Sequence, residues 1–456
     1  MKYDIIFKAH NEYFGGSMDL LNGKIKPIYF KYLAAASGSA VIGAFFGMVD
    51  AMVVGKYHGP VGNAALAVFS PFWSIIFCLG FLAGIGGSVL FANYRGKKDE
   101  KTALEYFTLS IIYGLLLSAV AMLGIGIFQD HLFRFFGADD ELLPLAKLYM
   151  KPIFYAIPCC IFSNILSSYL RNDNDPTLAT VAAIVGGLFN CVGDCLLVFV
   201  FDMGIFGAAL ATAIGQFITI LIMLTHFVKK KNTLKFVKPT KIFKKLGSIS
   251  VAGFSTAIGD LALGIICILF NRQIMAHLGA DALAVYGVTT QVTSFAQGIA
   301  YGAGQAAQPI ISQNHGAKQY SRIKKCLKYG VITSLCMGVF WVALMLIFPN
   351  AIMNFFMKPT PEVEKIAPAI LRIFGLSYIL LPFNVFTTYY FQSIMKSHLS
   401  VISSVARGIV ISGLTILILP LLFDASSIWF AMLITETVVA IFGVCFMVRC
   451  TKRLEK

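Results

Sequence analysis

The sequence predicts an all-α membrane protein, with twelve transmembrane helices in two pseudo-symmetric six-helix lobes. Three observations carry that expectation. First, 58% of the 456 residues are apolar or aromatic and only 13% are charged, with a mean hydropathy of +0.78; soluble domains carry about 25% charged residues. Second, stretches of about 20 apolar residues, long enough to cross a bilayer core, recur along the whole chain. Third, short strings repeat in the same order on either side of a basic connection at mid-chain. Together these exclude a disordered chain, a secreted disulfide scaffold and a water-soluble nucleic-acid binder. The net charge of +15 does not indicate a nucleic-acid partner, because the Lys and Arg residues sit in the short gaps between apolar stretches, where membrane topology is set.

The elements follow in chain order. Residues 1–28, with Lys2, Asp4, Lys8 and Glu12, lack the apolar block of a signal peptide and read as a cytosolic lead-in. An N-lobe, 29–228, holds spans at 30–54, 64–92, 105–128, 146–170, 177–201 and 204–228. Residues 229–246 form a basic cytosolic linker that opens with Lys229-Lys230-Lys231. A C-lobe, 247–450, holds spans at 247–276, 282–312, 326–349, 365–394, 400–423 and 427–449, before a cytosolic tail at 451–456. Most basic residues, Arg171 and Arg407 among them, fall on the side of the termini, whereas Asp130, Asp139, Asp140 and Glu141 fall on the other. The chain therefore reads as a multi-pass protein of the cytoplasmic membrane with both termini in the cytosol. The ten cysteines show no metal-binding spacing and no C-x-x-C pair, so they read as small membrane-core hydrophobes.

The repeat is weak but ordered. Gly62-Asn63-Ala64-Ala65-Leu66-Ala67-Val68 resembles Gly279-Ala280-Asp281-Ala282-Leu283-Ala284-Val285. Gly84 and Gly96 recur as Gly304 and Gly316, Pro158 and Phe162 as Pro382 and Phe386, and Phe201-Asp202 as Phe423-Asp424. An even number of spans per repeat makes the two lobes parallel, as in many carriers that rock around a central site.

Ionisable groups inside a span are costly unless paired or hydrated, so each is a functional candidate. The N-lobe offers Asp50 in the first span and Asn190 with Asp194 in the fifth, four residues apart on one helix face. Thr212 and Tyr149 come to a similar depth. Two carboxylates among amide, hydroxyl and phenol oxygens can hold Na+ as a metal site, or a proton; the alternative is that they only bond neighbouring helices. In the eighth span, Ser294, Gln297, Tyr301, Gln305 and Gln308 step by three and four residues and so share one face. A neutral polar stripe of that kind suits the wall of a substrate cavity, or else interhelical hydrogen bonding. Asp260 in the seventh span joins it as a cavity candidate, with an Arg or Lys partner on another helix as the alternative. Arg272, Arg372 and Arg407 lie near span ends, where snorkelling is expected, and Glu436 reads as structural or gating. Nucleotide-binding, zinc-protease and Ser-His-Asp patterns are absent, so no enzyme activity and no cofactor are expected.

These residues resemble the multidrug and toxic compound extrusion (MATE) family. The resemblance runs from Met18-Asp19-Leu20 over nearly the whole chain and is carried by several strings: Val49-Asp50-Ala51-Met52-Val53-Val54-Gly55, the glycine-rich 79–88, Asn190-Cys191-Val192-Gly193-Asp194, Gly207-Ala208-Ala209-Leu210-Ala211-Thr212, residues 305–318, and Ser427-Ile428-Trp429 onward to Glu436. It implies a V-shaped cavity between two lobes and export of amphipathic, often cationic small molecules in exchange for H+ or Na+ by alternating access. The branch resembled most is the DNA-damage-inducible one, whose first-lobe ion site maps onto Asp50, Asn190, Asp194, Thr212 and, less closely, Tyr149. The acid of the tenth span used in a sodium-coupled branch has no counterpart between Ile366 and Phe391. The family's usual proline early in the first span is replaced by Ala34-Ala35-Ala36-Ser37, with Gly38, Gly43 and Gly47 as sources of flexibility. A monomer acting on a small molecule within the bilayer is expected. A flippase for lipid-linked saccharides is the alternative, and would require a cationic central cavity.

Overall fold

The computed structural model describes residues 19–357 and 359–454, and of Pro60 only the backbone. Most of the lead-in, residues 1–18 with Met18, and the tail residues 455–456 lie outside the described residues. Among the described residues there is no strand, and the chain is a bundle of long helices. In chain order these are α1 Ile25–Gly59, α2 Val61–Gly96, α3 Glu100–Phe135, α4 Leu142–Asn172, α5 Pro176–Val200 and α6 Gly204–Val228. The second half continues with α7 Ile242–His277, then α8 Ala280–Gly316. The last four are α9 Tyr320–Ile347, α10 Pro361–Ser393, α11 Ser397–Leu422 and α12 Ala425–Arg453. Eleven of them are long and apolar enough to cross a membrane. α8 has the length, 37 residues, but its polar stripe makes it the least apolar of the long helices, and it lies among the others rather than against lipid.

Local chemistry sets the breaks. Gly59 takes φ 65°, a left-handed conformation that glycine adopts without a Cβ penalty, and this separates α1 from α2. Asp99 caps α3 through the Thr102 amide at 3.1 Å, and Thr360 caps α10 before Pro361. The repeat is visible in the turns: Lys98 and Lys318 take φ 63° and 58° after α2 and α8, and Asn174 and Met395 each take φ 60° after α4 and α10. α5 and α11 each contain a π-helical turn, Cys195–Val200 and Ala406–Val410. Such turns cluster at functional positions; here one directly follows Asp194 and the other contains Arg407.

Where the two halves meet, the helices touch backbone to backbone. A Cβ built on Gly96 would lie 2.0 Å from the Gln313 carbonyl oxygen, and one on Gly316 would lie 1.9 Å from that of Asn93. Gly86 likewise faces the Ile249 carbonyl at 2.2 Å, and Gly302 faces Ser37. Small residues permit this approach, and dispersion between the closely packed backbones then holds the seam. Asn93 Nδ2 donates to the Ser312 carbonyl at 3.4 Å and meets His315 Nδ1 at 2.9 Å. The recurrence of Gly96 as Gly316 thus has a physical cause: the two glycines face each other across the pseudo-twofold axis. Gly84 and Gly304 are equivalent in the same way, the first against Asn164 and Ile165 of α4, the second against Tyr389 of α10.

This seam lies at the end where the described residues begin, at Asp19, and finish, at Leu454. Arg322 and Asn314 also hold the Leu20 carbonyl there, at 3.0 Å each. Toward the other end, α1 and α2 turn to partners of their own half, with Tyr57 donating to Asp202 at 2.5 Å and Phe69 packing on Tyr149 at 4.7 Å. The bundle is therefore closed at one end and splayed at the other.

The linker is not a free tether. It runs extended along the closed end of the first half, with Thr233 bonded to Asp173, and with Thr240 and Lys245 bonded to Glu105. Lys229 and Lys231 reach Asp175 at 3.1 and 2.8 Å. Asp173 and Asp175 also flank His226, at 2.7 and 3.0 Å from its two ring nitrogens. Carboxylates only accept hydrogen bonds, so an imidazolium that donates from both nitrogens satisfies this arrangement. Burial alone would raise both carboxyls. Bonds from His226 to both, with Thr233 on Asp173 and the two lysines on Asp175, outweigh it and hold them below the usual carboxylate range.

Candidate functional site: a cavity between the two halves

The splayed helices enclose a cavity of about 890 Å³, the size of a pocket for a drug-like molecule. Its first-half wall includes Asp50, Tyr149, Asn190 and Thr212, which the sequence placed at one depth. Tyr149 Oη donates to Asp50 Oδ2 at 3.0 Å. Asn190 Nδ2 donates to Asp194 Oδ1 at 3.2 Å and to Thr212 Oγ1 at 2.9 Å. Asp194 does not line the cavity; it is fully buried behind Asn190 and lies within electrostatic range of Asp50 and Tyr149. Each carboxylate keeps one buried oxygen with no partner, Asp50 Oδ1 and Asp194 Oδ2. Unsatisfied buried acceptors of this kind are costly, and a proton or a small hard cation is what would satisfy them. Among the described residues, no three His, Cys, Asp or Glu side chains converge as a transition-metal site.

α1 is helical throughout its length up to Gly59. Gly43 and Gly47 line the cavity with open space beside them, while the Phe46 ring packs over Gly187 of α5.

The second-half wall carries Asp260 and most of the α8 stripe. Ser294, Gln297, Tyr301 and Gln305 line the cavity, whereas Gln308 does not. Gln308 lies deeper, in the seam, where its Nε2 reaches Ser88 Oγ of α2 at 3.4 Å; the helical face continues past the cavity floor into the contact between the halves. Among the described residues Asp260 is paired with neither Arg nor Lys: its Oδ1 accepts from Tyr301 Oη at 2.8 Å. Gln297 Nε2 donates to the same phenol oxygen at 2.8 Å. Arg407 then reaches Gln297 Oε1 at 3.3 Å and Glu436 Oε1 at 2.7 Å. Asn384 Nδ2 donates to Glu436 Oε2 at 2.6 Å and closes the network.

Arg407 is therefore not a snorkelling residue. It sits about three turns into α11, lines the cavity, and neutralises the fully buried Glu436. Its position three turns inside a helix starting at Ser397 was the available signal. Arg272 and Arg372 are exposed, as expected of residues near span ends. Arg171 is the residue that sequence reasoning missed. It lies in the last turn of α4, on the side where charge counting put it, but is only 8% exposed and lines the cavity.

The MatE family model matches residues 36–196 and 261–417, one segment in each half. The multidrug export protein MepA of Staphylococcus saprophyticus is 24% identical over 426 residues, covering 91% of this chain and 93% of that protein. MepA of Staphylococcus aureus is 25% identical over 410 residues, 88% of each chain. Among solved structures, an outward-facing multidrug resistance MATE family transporter superposes with a TM-score of 0.89 at 22% identity, over 96% of this chain and 98% of the other. A MOP superfamily transporter from Pyrococcus furiosus gives the same TM-score, identity and coverage. The duplicated match, the helical bundle and the cavity agree, and the chain belongs to the MATE family of membrane transporters.

Proposed function

We propose that this transporter is an H+- or Na+-coupled antiporter that exports amphipathic, often cationic small molecules by alternating access. The observation that carries this reading is the pair of buried, unpartnered carboxylate oxygens, one on Asp50 at the wall of a cavity closed at one end and one on Asp194 just behind that wall. With both termini cytosolic, as the basic residues indicate, the closed end faces the cytosol and the cavity faces outward. Asp50 and Asp194, with Asn190, Thr212 and Tyr149, take up the external cation after substrate has left. Neutralisation removes the charge repulsion between the two acids and favours the inward-open state; ion release inside then readmits substrate. One charge crossing 100 mV supplies about 2.3 kcal/mol. No cofactor or catalytic step enters this cycle, and the working unit is a monomer in the cytoplasmic membrane.

The export of multidrug substrates named for the MepA relatives supports the substrate class. A flippase for lipid-linked saccharides would need a cationic cavity. Here Arg407 is neutralised by Glu436, and Asp50 and Asp260 accompany Arg171, so the balance favours cationic cargo. The test is ethidium efflux from proteoliposomes under a pH gradient alone and a Na+ gradient alone. Efflux under one gradient, lost in Asp50→Asn, is expected; efflux that survives Asp50→Asn removes the ion site.

A further inference from the structure

We propose that Arg171 is an anion-binding subsite at the cavity floor, which takes the carboxylate of a zwitterionic amphipath whose cationic end faces the acidic walls. The inference rests on the export reading above and specifies its substrate class. A guanidinium inside the membrane region normally has a carboxylate partner. Arg171 has none: its side chain makes no hydrogen bond or ion pair among the described residues, and its Nε is buried without a partner. The phenols of Tyr389 and Tyr32 lie near it, and Asp173, two residues on, is already bonded to Arg95 and His226. Its position in the last turn of α4 suits a cation, yet the helix dipole supplies no acceptor for the terminal nitrogens.

The repeat shows that this position does not require a charge to hold the fold. Tyr169-Leu170-Arg171-Asn172 corresponds to Tyr390-Phe391-Gln392-Ser393, each followed three residues after the Arg or Gln by a turn residue at φ 60°. Gln392 is fully buried and spends its amide on α7, donating to the Ala252 carbonyl at 2.9 Å, Ser255 Oγ at 2.6 Å and Thr256 Oγ1 at 2.9 Å. In the second half the position is a joint between helices; in the first half the same position directs a charge into the cavity. Asn164 and Ser167 on the same face of α4 line the cavity beside it, with Gln305 and Tyr389 across the floor. These are neutral polar groups that orient a carboxylate without competing for the guanidinium. Arg407, the cavity's other cation, already holds Glu436. Carboxylate recognition by a two-pronged guanidinium is favoured by its geometry.

The test uses the full-length protein in lipid-free detergent, so no anionic headgroup supplies the anion. Two dyes are compared by fluorescence anisotropy: a rhodamine with a free benzoate, and its methyl ester. Wild type is expected to prefer the acid by about tenfold, in line with a charge-assisted bond. That preference is lost in Arg171→Gln and kept in Arg171→Lys. Equal binding of acid and ester by wild type, or a preference that survives Arg171→Gln, overturns the subsite. Should Arg171→Gln fail to fold, the wild-type comparison and the lysine variant still decide. The export reading is tested separately, by efflux of the ester in proteoliposomes. A preference for the acid without efflux of either dye keeps the subsite and removes export. Efflux of the ester without a preference for the acid does the reverse.

Discussion

The glycine seam makes a prediction about conformation rather than stability. Adding a methyl to Gly96 places a carbon 2.0 Å from the Gln313 carbonyl oxygen, where about 3.3 Å is a normal close contact. The obstacle is backbone on a packed helix, so no rotamer change relieves it. α2 and α8 must separate by more than about 1 Å, and overpacking of this kind costs about 1–3 kcal/mol. The cost falls only on the state in which the seam is closed. In an alternating-access cycle, a penalty of about 2 kcal/mol shifts the equilibrium roughly thirtyfold toward the state open at the terminal-bearing end. Spin labels on exposed Lys98 and Lys318, in a background without reactive cysteines, report the separation of the two helix ends by double electron–electron resonance. Gly96→Ala is expected to lengthen that distance and to depress efflux. Gly124→Ala, with nothing within 4 Å of the added carbon, is the control and should leave the distance unchanged. A folded Gly96→Ala protein with the wild-type distance distribution would refute the reasoning that this seam is the gate.

Three further outcomes are expected. Glu436→Gln strands the Arg407 guanidinium and should lower stability by about 3 kcal/mol, whereas Arg407→Met with Glu436→Met should recover most of that loss in a thermal-shift assay. Asp175→Asn removes the acceptor shared by His226, Lys229 and Lys231 and should cost about 3 kcal/mol at neutral pH. Because the Asp173 and Asp175 carboxyls are held below their usual value, their stabilisation is complete above about pH 4 and is lost as pH falls through the lower, folded-state values. Acid titration of Asp175→Asn should therefore show a flatter loss of melting temperature below about pH 4 than wild type. Tyr301→Phe removes the donor on Asp260 Oδ1 and an acceptor for Gln297; weaker ethidium binding by fluorescence titration is expected, by a few-fold, about 1 kcal/mol.

Much of this protein was legible before any coordinates. Eleven of the twelve long helices meet the test of length and apolarity, because a bilayer accepts few other structures. The depth of Asp50, Tyr149, Asn190 and Thr212 followed from counting along spans, since helical rise is constant. The cavity face of α8 followed from its period as far as Gln305. What the one-dimensional pattern could not hold was pairing between distant helices. Gln308 continues the stripe but ends in the seam, because the two halves cross below the cavity floor. Arg171 and Arg407 looked alike as basic residues on the side of the termini; Arg407 is neutralised by Glu436 on α12, whereas Arg171 faces the cavity with no such partner among the described residues. Asp194 shares a helix face with Asn190 yet lies behind it rather than on the cavity wall, since four residues along a helix bring side chains to one face but not to one depth from the axis of the bundle. Local sequence determines where a helix runs and which groups it carries at each level. Which of those groups find a partner is decided only when separate helices are brought into contact.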